Sequence, residues 1–478
     1  MKDRVLAYIN REEHQHMKVL ISLFTVAFLM VISAFVVQWV HASASTYYLA
    51  PTGSDSNDCT IASPCLSFNH AYQIASPGDS VVVAAGTYSD QNLVEDSSKS
   101  SAQQPITFRP ETNADVTVGN INFGATYEDK GASHVVIQDM TSTGWAVLHR
   151  TTDITLTNMI FHGAVSAIGA TQLTISGGSW GDAAVTNDGV HPEFQAYQGN
   201  DPAVTPDHLT IQNVTLHNIY RPNSSVAVAC LQIDDGTNIM ISGNRFQSCD
   251  NKDALVVPSG LAAINGLTLE NNIFESSTGT GGSGQGTNSL AFDATNANIS
   301  NVTIRNNTFV QAWSMGSGTT HSTSGSFIGN LGYSGGSCAN ATNQTWSFSH
   351  NLWIDGGGCS GTDTNDTLSN IAWTSDYHIG SSSVAIDAGD PASCPAKDID
   401  GDSRPQSSVC DAGADEYLAG SPAAPANNAL PTLSGSTAEA GQLRTTHGGW
   451  SGSPTYAYQW QRCDSGGANC ANISGATA

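Results

Sequence analysis

Three short segments in the middle of the chain contain acidic and imidazole side chains, with an amine beside the third, that could do chemistry. The segments are DGVHPEFQ (188–195), ACLQIDD (229–235) and DALVV (253–257), and Lys252 directly precedes the third. The first two segments mix apolar and polar residues and the third is an apolar run after Asp253, and all three look like consecutive β-strands of one sheet. We therefore predict three neighbouring strands of one sheet, with their polar residues on the same face.

The predicted register of these strands brings the polar residues together. We take Val190, Leu231 and Leu255 as the equivalent inward residues. Outward side chains then stack at ~4.8 Å from strand to strand. The resulting neighbours are His191 with Gln232 and Glu193 with Asp234, and the residues at the strand starts are Asp188 and Asp253.

These side chains could support three kinds of chemistry. Glu193 and Asp234 could act as the acid and the base of glycoside cleavage, which requires two carboxyl groups at a defined separation. The same two residues with Asp235 could bind Ca²⁺, a hard cation that prefers oxygen ligands. A β-eliminating lyase needs a base, for which Lys252 and Arg245 are candidates. The candidate catalytic residues are Asp188, His191, Glu193, Asp234, Lys252 and Asp253, and an ordinary solvated outer face is the alternative for all of them.

The strands that must position these residues belong to a sequence repeat. Eight copies of nine residues, with alternating apolar positions followed by a small or amide residue, begin at His134, Asp153, Gln172, His208, Asn238, Gly266, Asn301 and Thr345. The first three copies are 19 residues apart, which is too short for a crossover helix but suits one coil of a β-solenoid. Longer spacings indicate one coil with a loop, or two coils with a degenerate middle copy. Asn158, Asn213 and Asn271 predict tight turns with left-handed backbone.

Both ends of the repeat region resemble a known family. The motifs are YYLAPTGSD (47–55), SP (63–64), PGDSV (77–81) and AGTY (85–88) at the start, and AIDAGD (385–390), DIDGDSRP (398–405) and DAGADEY (411–417) at the end. They are similar to the right-handed parallel β-helix proteins of the pectate-lyase superfold. The resemblance implies an all-β solenoid over residues 45–417, with a short capping helix near residues 68–74 and a C-terminal closing segment.

Two smaller features have competing interpretations. The 398–402 loop predicts either a cap-stabilising turn, with Arg404 paired to one of its carboxylates, or a Ca²⁺ loop, although its spacing is not that of an EF-hand. Four aromatic residues could stack on sugar rings or could simply cover turns. They are Trp145, Trp180, Tyr197 and Trp313.

Charge and cysteine content restrict the partners and the compartment. The formal net charge of −25 would repel nucleic acid, anionic membrane surfaces and polyanionic glycans. The ten cysteines fall into five near pairs, which after an export signal predict disulfide bonds. The nearest-neighbour pairs are Cys59/Cys65, Cys230/Cys249, Cys338/Cys359, Cys394/Cys410 and Cys463/Cys470.

The two ends of the chain predict export and an additional module. Within residues 1–44, the apolar run from Val19 to Val40 precedes a small-x-small site at residues 42–44. This pattern is typical of a cleaved signal peptide, and an uncleaved membrane anchor is the alternative. Residues 418–430 predict a linker. Residues 431–478, with WSGSP (450–454) and YAYQW (456–460), resemble part of an Ig-like β-sandwich repeat.

Two functions remain open at this level. The first is an enzyme, a polysaccharide lyase or a glycosidase, with its site on the face of residues 188–253. The second is a non-catalytic cell-surface protein that binds glycan or mediates adhesion. Both imply a secreted or cell-surface monomer with an extracellular polysaccharide as partner, no nucleic acid, and a membrane contact only through the N-terminal anchor. Ca²⁺ is the one cofactor that the residues suggest.

Overall fold

The computed structural model describes a large part of the chain after residue 43. The described residues are 44–102, 104–124, 129–182, 194–197, 205–219, 229–249, 252–258, 263–277, 288–314, 321–333, 343–354, 362–364, 371–418, 427–429, 433–435, 443–445, 449–450, 459–463 and 470–473. Residues 1–416 form one compact unit and residues 417–478 form another.

Parallel strands stacked coil on coil build three faces of a solenoid in the first unit. Face 1 comprises, within the described residues, β4 (Gln91–Leu93), β7 (Ile121–Phe123), β10 (Ala146–His149), β12 (Val165–Ile168), β14 (Phe194–Tyr197), β17 (Ala229–Ile233), β20 (Lys252–Val256), β23 (Asn288–Phe292) and β26 (Trp313–Ser314). Every pairing in this face is parallel. The parallel β-helix implied by the resemblance is therefore confirmed.

The other two faces share strands that continue through the corner between them. Face 2 comprises β1 (Thr46–Leu49), β2 (Ser80–Val83), β5 (Ile106–Pro110), β8 (Val135–Gln138), β11 (Thr152–Phe161), β13 (Thr171–Gly181), β15 (Asp207–Gln212), β18 (Gly236–Ser242), β21 (Ile264–Glu270), β24 (Ile299–Arg305), β27 (Thr323–Ile328) and β29 (Gln344–Trp353). Face 3 comprises β3 (Gly86–Tyr88), β6 (Val116–Val118), β9 (Thr141–Ser142), β16 (Thr215–His217), β19 (Arg245–Cys249), β22 (Ile273–Ser277), β25 (Thr308–Phe309), β28 (Leu331–Gly332) and the second halves of β11, β13 and β29. β30 (Thr362–Thr364) pairs with β29.

The repeat detected in the sequence corresponds to one inward column of face 2. Its members in successive coils are Ile137, Leu156, Ile175, Ile211, Ile241, Leu269, Ile304, Phe327 and Phe348. Phe327 occupies a coil that the repeat did not reveal, so the longest spacing contains two coils. The other long spacings are single coils with loops. Stacking apolar side chains in this way buries a continuous core along the solenoid.

Two positions of each copy bend the backbone. The sixth position has a positive φ in all eight copies, including Asn158 (50°), Asn213 (56°) and Asn271 (53°). The first position is also left-handed in seven copies, from His134 to Asn301. These φ angles confirm the predicted left-handed turns. The residue types fit, because an amide, a short polar side chain or glycine tolerates this conformation best.

A ladder of buried asparagines follows the left-handed turn in the later coils. Its members are Asn244, Asn272, Asn307, Asn330 and Asn351. The Oδ1 atom of each of the last four accepts hydrogen bonds from the backbone N–H and the Nδ2 of the preceding asparagine, at 2.8–3.0 Å. Each Nδ2 also donates to a backbone carbonyl. The left-handed turn residue can also bond between coils, since Nδ2 of Asn158 donates to Oδ1 of Asp139, the equivalent residue of the previous coil, at 3.1 Å.

The predicted capping helix is confirmed at residues 68–74. Helix α1 (Phe68–Ile74) begins after Ser67, whose Oγ accepts from the N–H of His70. Phe68 is buried and stacks on Phe108 of β5, with ring centroids 5.0 Å apart. The helix thus covers the first coil, which would otherwise expose its core. Among the described residues, neither α1 nor the short 3₁₀ helix Ser97–Lys99 is long and apolar enough to cross a bilayer.

The closing segment, residues 371–416, runs along the corners of successive coils. Arg404 is buried and donates to Glu416 (2.9 Å) and to the side chain of Asn271 (2.8 Å). Its third nitrogen, Nη2, donates hydrogen bonds to the carbonyls of Asp411, Gly413 and Asp415. Arg404 therefore pairs with Glu416 and not with a carboxylate of the 398–402 loop. The loop itself is a tight turn, because Oδ1 of Asp398 accepts the N–H groups of Asp400 and Asp402.

The cysteine pairs are confirmed in three cases. Disulfides join Cys59 to Cys65, Cys230 to Cys249 and Cys463 to Cys470. The expected Cys394–Cys410 bond is not formed, and both residues are thiols. Burial, with Cys394 alongside, raises the pKa of Cys410 to about 12. Cys338 and Cys359 lie outside the described residues.

The second unit contains, in its described residues, three antiparallel strand pairs. They are β31 (Asn427–Ala429) with β34 (Gly449–Trp450), β32 (Leu433–Gly435) with β33 (Leu443–Thr445), and β35 (Gln461–Arg462) with β36 (Ala471–Asn472). The Ig-like module remains a prediction. The N-terminal leader or anchor also remains one, since residues 1–43 lie outside the described part of the chain.

Candidate functional site

The described parts of the three polar segments do come together on face 1, but in a different register from the predicted one. Phe194 pairs with Leu231, and Ala196 pairs with Ile233. Leu231 pairs with Ala254, so Leu255 lies beside Gln232 and is an outward residue. The prediction that Leu255 points inward was wrong, because both neighbours of Leu255 are apolar and its segment gives no alternation to set the phase. The expected pairing of Glu193 with Asp234 also disagrees with the register of β14.

Three of the candidate residues lie outside the described residues. They are Asp188, His191 and Glu193. Their catalytic and Ca²⁺-binding roles therefore remain predictions. The same applies to the side chain of Tyr197, whose backbone alone is described.

Asp234 and Asp235 lie at the end of β17 and are buried. Oδ1 of Asp234 accepts a hydrogen bond from Nε2 of Gln232 at 2.7 Å, and its backbone N–H donates to the carbonyl of Ala196. Both carboxylates are therefore held inside the corner after the strand instead of standing on an open outer face. Their predicted role as Ca²⁺ ligands stays open.

Asp253 lies in the opposite corner, just before the inward residues of face 1. The pairing register places it between Cys230 in the previous coil and Ser289 in the next. Its side chain is 0% exposed, and neither carboxyl oxygen has a hydrogen-bond partner of good geometry within the described residues. Burial raises the pKa of Asp253 well above its usual range, the Glu275 charge adds to this, and the Ser289 hydroxyl offsets only part of it. Asp253 is thus a carboxylic acid that tends to stay protonated.

The two candidate bases are placed differently. Lys252 is buried at the start of β20, and desolvation lowers its pKa, as expected for an amine that could act as a base. Arg245 of β19 lies on face 3, where it forms an ion pair with Glu275 at 2.8 Å. Lys252 is therefore the candidate that stays with face 1.

The middle outward row of face 1 is neutral. In coil order, its described side chains are Asn92, Asn122, Val147, Ser166, Gln232, Leu255, Ala291 and Ser314. Nδ2 of Asn122 donates to Oδ1 of Asn92 at 2.9 Å. None of these eight positions holds a charged residue. Sequence reading missed this row, although the alternation of Asn122 with Ile121 and Phe123 was a usable signal.

One large aromatic side chain is exposed beside this row. Trp145 directly precedes β10 and is 46% exposed. Its backbone N–H donates to Oδ1 of Asn120 at 2.6 Å, and both the N–H and the Nδ2 of Asn120 donate to Asp90 at 2.8 Å. A Cβ atom on Gly163 in the next coil would lie 2.3 Å from the carbonyl oxygen of Gly144 and 3.1 Å from the indole, so the coils are close enough here to require glycine.

The other tryptophans named as sugar-stacking candidates belong to the core. Trp180 and Trp313 are both buried. Nε1 of Trp180 donates to the carbonyl of Gly163 at 3.0 Å, and Trp313 packs on Phe327 with ring centroids 4.5 Å apart. Among the described candidates, Trp145 is accordingly the one that a ligand can reach.

A second titratable cluster lies in the closing segment, away from the predicted site. Nε2 of His378 lies 2.8 Å from Oδ2 of Asp400, and Nδ1 lies 3.2 Å from Oδ2 of Asp376. Hydrogen bonding to Asp400, together with the charges of Asp415, Asp400 and Asp376, raises the pKa of His378 to about 9. Burial, with the nearby carboxylates adding to it, raises the pKa of Asp415 to about 6. Sequence reading missed this cluster because its residues come from separate segments.

Comparison with known proteins identifies no family. No protein-family model matches the chain, and no curated protein matches it. Among solved structures, it is similar to pectate lyase Pel9A (15% identity, TM-score 0.44, covering 79% of this chain and 97% of the other). It is also similar to XylC in complex with xylose (9% identity, TM-score 0.38, covering 66% of this chain and 84% of the other). A third similar structure is PfbA, a surface adhesin of Streptococcus pneumoniae (12% identity, TM-score 0.37, covering 60% of this chain and 80% of the other).

Proposed function

We propose that this protein is exported and binds an uncharged extracellular polysaccharide along face 1. The observation that carries the proposal is the exposed indole of Trp145 beside a neutral row of outward side chains, three of which are amides. Sugar rings offer apolar C–H faces and hydroxyl groups. An aromatic plane suits the first, and amides, which both donate and accept, suit the second.

The platform is rigid before any ligand arrives. Trp145 is anchored through its backbone to Asn120, which is itself anchored to Asp90. Asn122 is tied to Asn92 in the preceding coil. Because these groups belong to a stacked parallel sheet, little ordering entropy remains to be lost on binding.

The charge distribution favours a neutral glycan over a uronate polymer. The net charge of −25 opposes polyanions, and the middle outward row of face 1 contains no Lys or Arg to offset it. The Cys59–Cys65 and Cys230–Cys249 disulfides support an oxidising compartment, consistent with export. Secretion and surface anchoring are both compatible with this proposal.

Calorimetric titration with soluble oligosaccharides tests the proposal. The probes are xylo-, cello- and manno-hexaose, with hexagalacturonate as the anionic comparison. We expect binding of at least one neutral ligand and a loss of about tenfold in affinity for Trp145→Ala, since an aromatic contact contributes about 1 kcal/mol or more.

The matched control is Tyr333→Ala, which removes an exposed aromatic side chain next to face 3. It should bind with wild-type affinity. The proposal is wrong if the uronate alone binds, if no probe binds, or if the two variants behave alike.

Glycan cleavage is a second candidate, favoured by one observation. A carboxyl group whose pKa is raised by burial, as at Asp253, is what a glycosidase needs as its general acid. The other residues predicted for catalysis are Asp234, Lys252, Asp188, His191 and Glu193. Assays of reducing ends and of unsaturated products on the same probes, with and without Ca²⁺, test this candidate. Wild-type turnover in both Asp253→Asn and Glu193→Gln would exclude those two residues.

A further inference from the structure

Three separate parts of the closing segment meet at His378. Nε2 of His378 is 2.8 Å from Oδ2 of Asp400, and one oxygen of Asp415 lies within 4.8 Å of both. Asp400 belongs to the 398–402 turn, and Asp415 is near the end of the segment. The three side chains thus present one nitrogen and two carboxylate oxygens to the same small volume.

The burial of these groups differs in a useful way. Asp415 is 6% exposed, and its Oδ2 accepts the backbone N–H of Ile379 at 2.7 Å, which fixes the carboxyl group. The Asp400 side chain is 54% exposed. The Asp415 carboxyl group is therefore fixed in the interior, and the space between the three side chains is open to solvent on the Asp400 side.

A further carboxylate faces the other nitrogen of the imidazole. Oδ2 of Asp376 lies 3.2 Å from Nδ1, an ion-pair contact that does not have hydrogen-bond geometry. A carboxylate at the second nitrogen of a histidine is the usual arrangement around metal-binding imidazoles, because it fixes the ring and strengthens the ligand nitrogen. Nε2 is then directed at Asp400 and Asp415.

The other charges near the cluster do not fill this volume. Arg245 is engaged with Glu275 and donates to the carbonyl of Asp376 at 3.0 Å. Asp398 accepts three backbone N–H groups, from residues 400, 402 and 416. Three carboxylates, of Asp376, Asp400 and Asp415, therefore act on one imidazole, which leaves an excess of negative charge.

We propose that His378, Asp400 and Asp415 bind one divalent transition-metal ion, with Asp376 as the positioning residue. A mixed nitrogen and oxygen set suits Zn²⁺ or Co²⁺, whereas Ca²⁺ prefers oxygen ligands alone. The ion would join the 371–380 stretch, the 398–402 turn and the end of the closing segment. Its role would be to hold this segment closed on the coils, separately from the proposed glycan face.

The test uses the full chain, freed of metal with a chelator and then titrated with Zn²⁺ by calorimetry. We expect one ion per chain and a rise in the thermal unfolding temperature. His378→Gln and Asp400→Asn should abolish detectable binding, and Asp376→Asn should weaken it about tenfold or more. Asp402→Asn, two residues from Asp400 in the same turn, is the matched control and should bind like the wild type.

Co²⁺ as a second probe separates this site from the two thiols of the same segment. Cobalt on nitrogen and oxygen ligands gives only weak visible bands, whereas binding by Cys394 and Cys410 would add a strong thiolate charge-transfer band. The proposal is overturned by that thiolate band, by Ca²⁺ binding that persists in His378→Gln, or by no binding of either transition metal. Asp400 is exposed, so a folded Asp400→Asn chain is expected and can be verified from its unfolding transition.

Discussion

Two corners of the solenoid contain buried polar residues, which are hydrogen-bonded to one another at one corner and not at the other. At the corner between faces 2 and 3, Asn244, Asn272, Asn307, Asn330 and Asn351 stack in successive coils and satisfy one another. At the corner before face 1, Cys230, Asp253 and Ser289 stack in the same way, and the Asp253 carboxyl oxygens have no hydrogen-bond partner of good geometry within the described residues.

The difference follows from what each side chain offers. A primary amide has both donors and an acceptor, so identical amides one coil apart can form the same hydrogen bond in every successive coil. A carboxylate only accepts, and neither a disulfide sulfur nor a single hydroxyl supplies the donors it needs. A buried residue that breaks the repeat is therefore expected to have a role other than winding, which is why Asp253 remains a candidate for chemistry.

Arg404 is a third case, which sharpens the comparison and should show the largest effect. It does not repeat, yet each nitrogen of its guanidinium donates to the closing segment or to Asn271. Arg404→Met leaves Glu416 buried without its ion-pair partner, and we expect a loss of about 4 kcal/mol in the free energy of unfolding. Urea denaturation measures it, with the exposed Arg462→Met as control. A loss below about 1 kcal/mol would show that non-repeating buried charges need no dedicated partners.

Asn307→Ala breaks the ladder itself. The change leaves the N–H and the Nδ2 of Asn272 without this acceptor and removes the Nδ2 donor to Asn330. We therefore expect a loss of about 3 kcal/mol in the free energy of unfolding. The control is Asn92→Ala, an exposed amide bonded to one neighbour, which should cost about 0.5 kcal/mol or less. Similar losses in the two variants would mean that the ladder contributes no more than a surface amide pair.

Asp253→Asn should change the free energy of unfolding in the opposite direction, towards greater stability. The pKa of Asp253 is raised in the folded chain, so its carboxyl group favours folding below the unfolded pKa of about 4 and loses that contribution as pH rises through the folded value. The variant should therefore match the wild type near pH 4 and be more stable by about 2 kcal/mol at about pH 8.

Thermal unfolding across pH measures this difference. Asp90→Asn is the control, because Asp90 lies at the exposed end of the same corner with both oxygens hydrogen-bonded to Asn120, and it should give no gain. A less stable Asp253→Asn chain at high pH would indicate an ionised, paired carboxylate.

The smallest expected effect concerns the left-handed turns. Asn213 has a φ of 56°, so Asn213→Ala should cost about 1 kcal/mol and Asn213→Gly should cost less. Both can be compared in one urea series. Equal losses would mean that the lost amide, and not backbone strain, determines the cost.

Parts of the candidate site followed from sequence, and other parts did not. Alternation placed Gln232 outward and Leu231 inward, as the structure has them. The run Ala254-Leu255-Val256-Val257 has no alternation, so its phase was assigned wrongly. The burial of Asp234, Asp235 and Asp253 was also missed, because corners are covered by neighbouring coils that local sequence does not specify.

The sequence by itself determined that the chain winds as a parallel β-solenoid, where the face-2 strands of eight coils lie, and that the residue after the apolar alternation turns left-handed. These are local properties, repeated from coil to coil, and period-two alternation with amide turns encodes them directly. Only the tertiary structure decided which residues of different coils become neighbours. The asparagine ladder, the unpaired Asp253 and the His378 cluster all depend on loop lengths and inter-coil register, which set contacts between residues far apart in the chain.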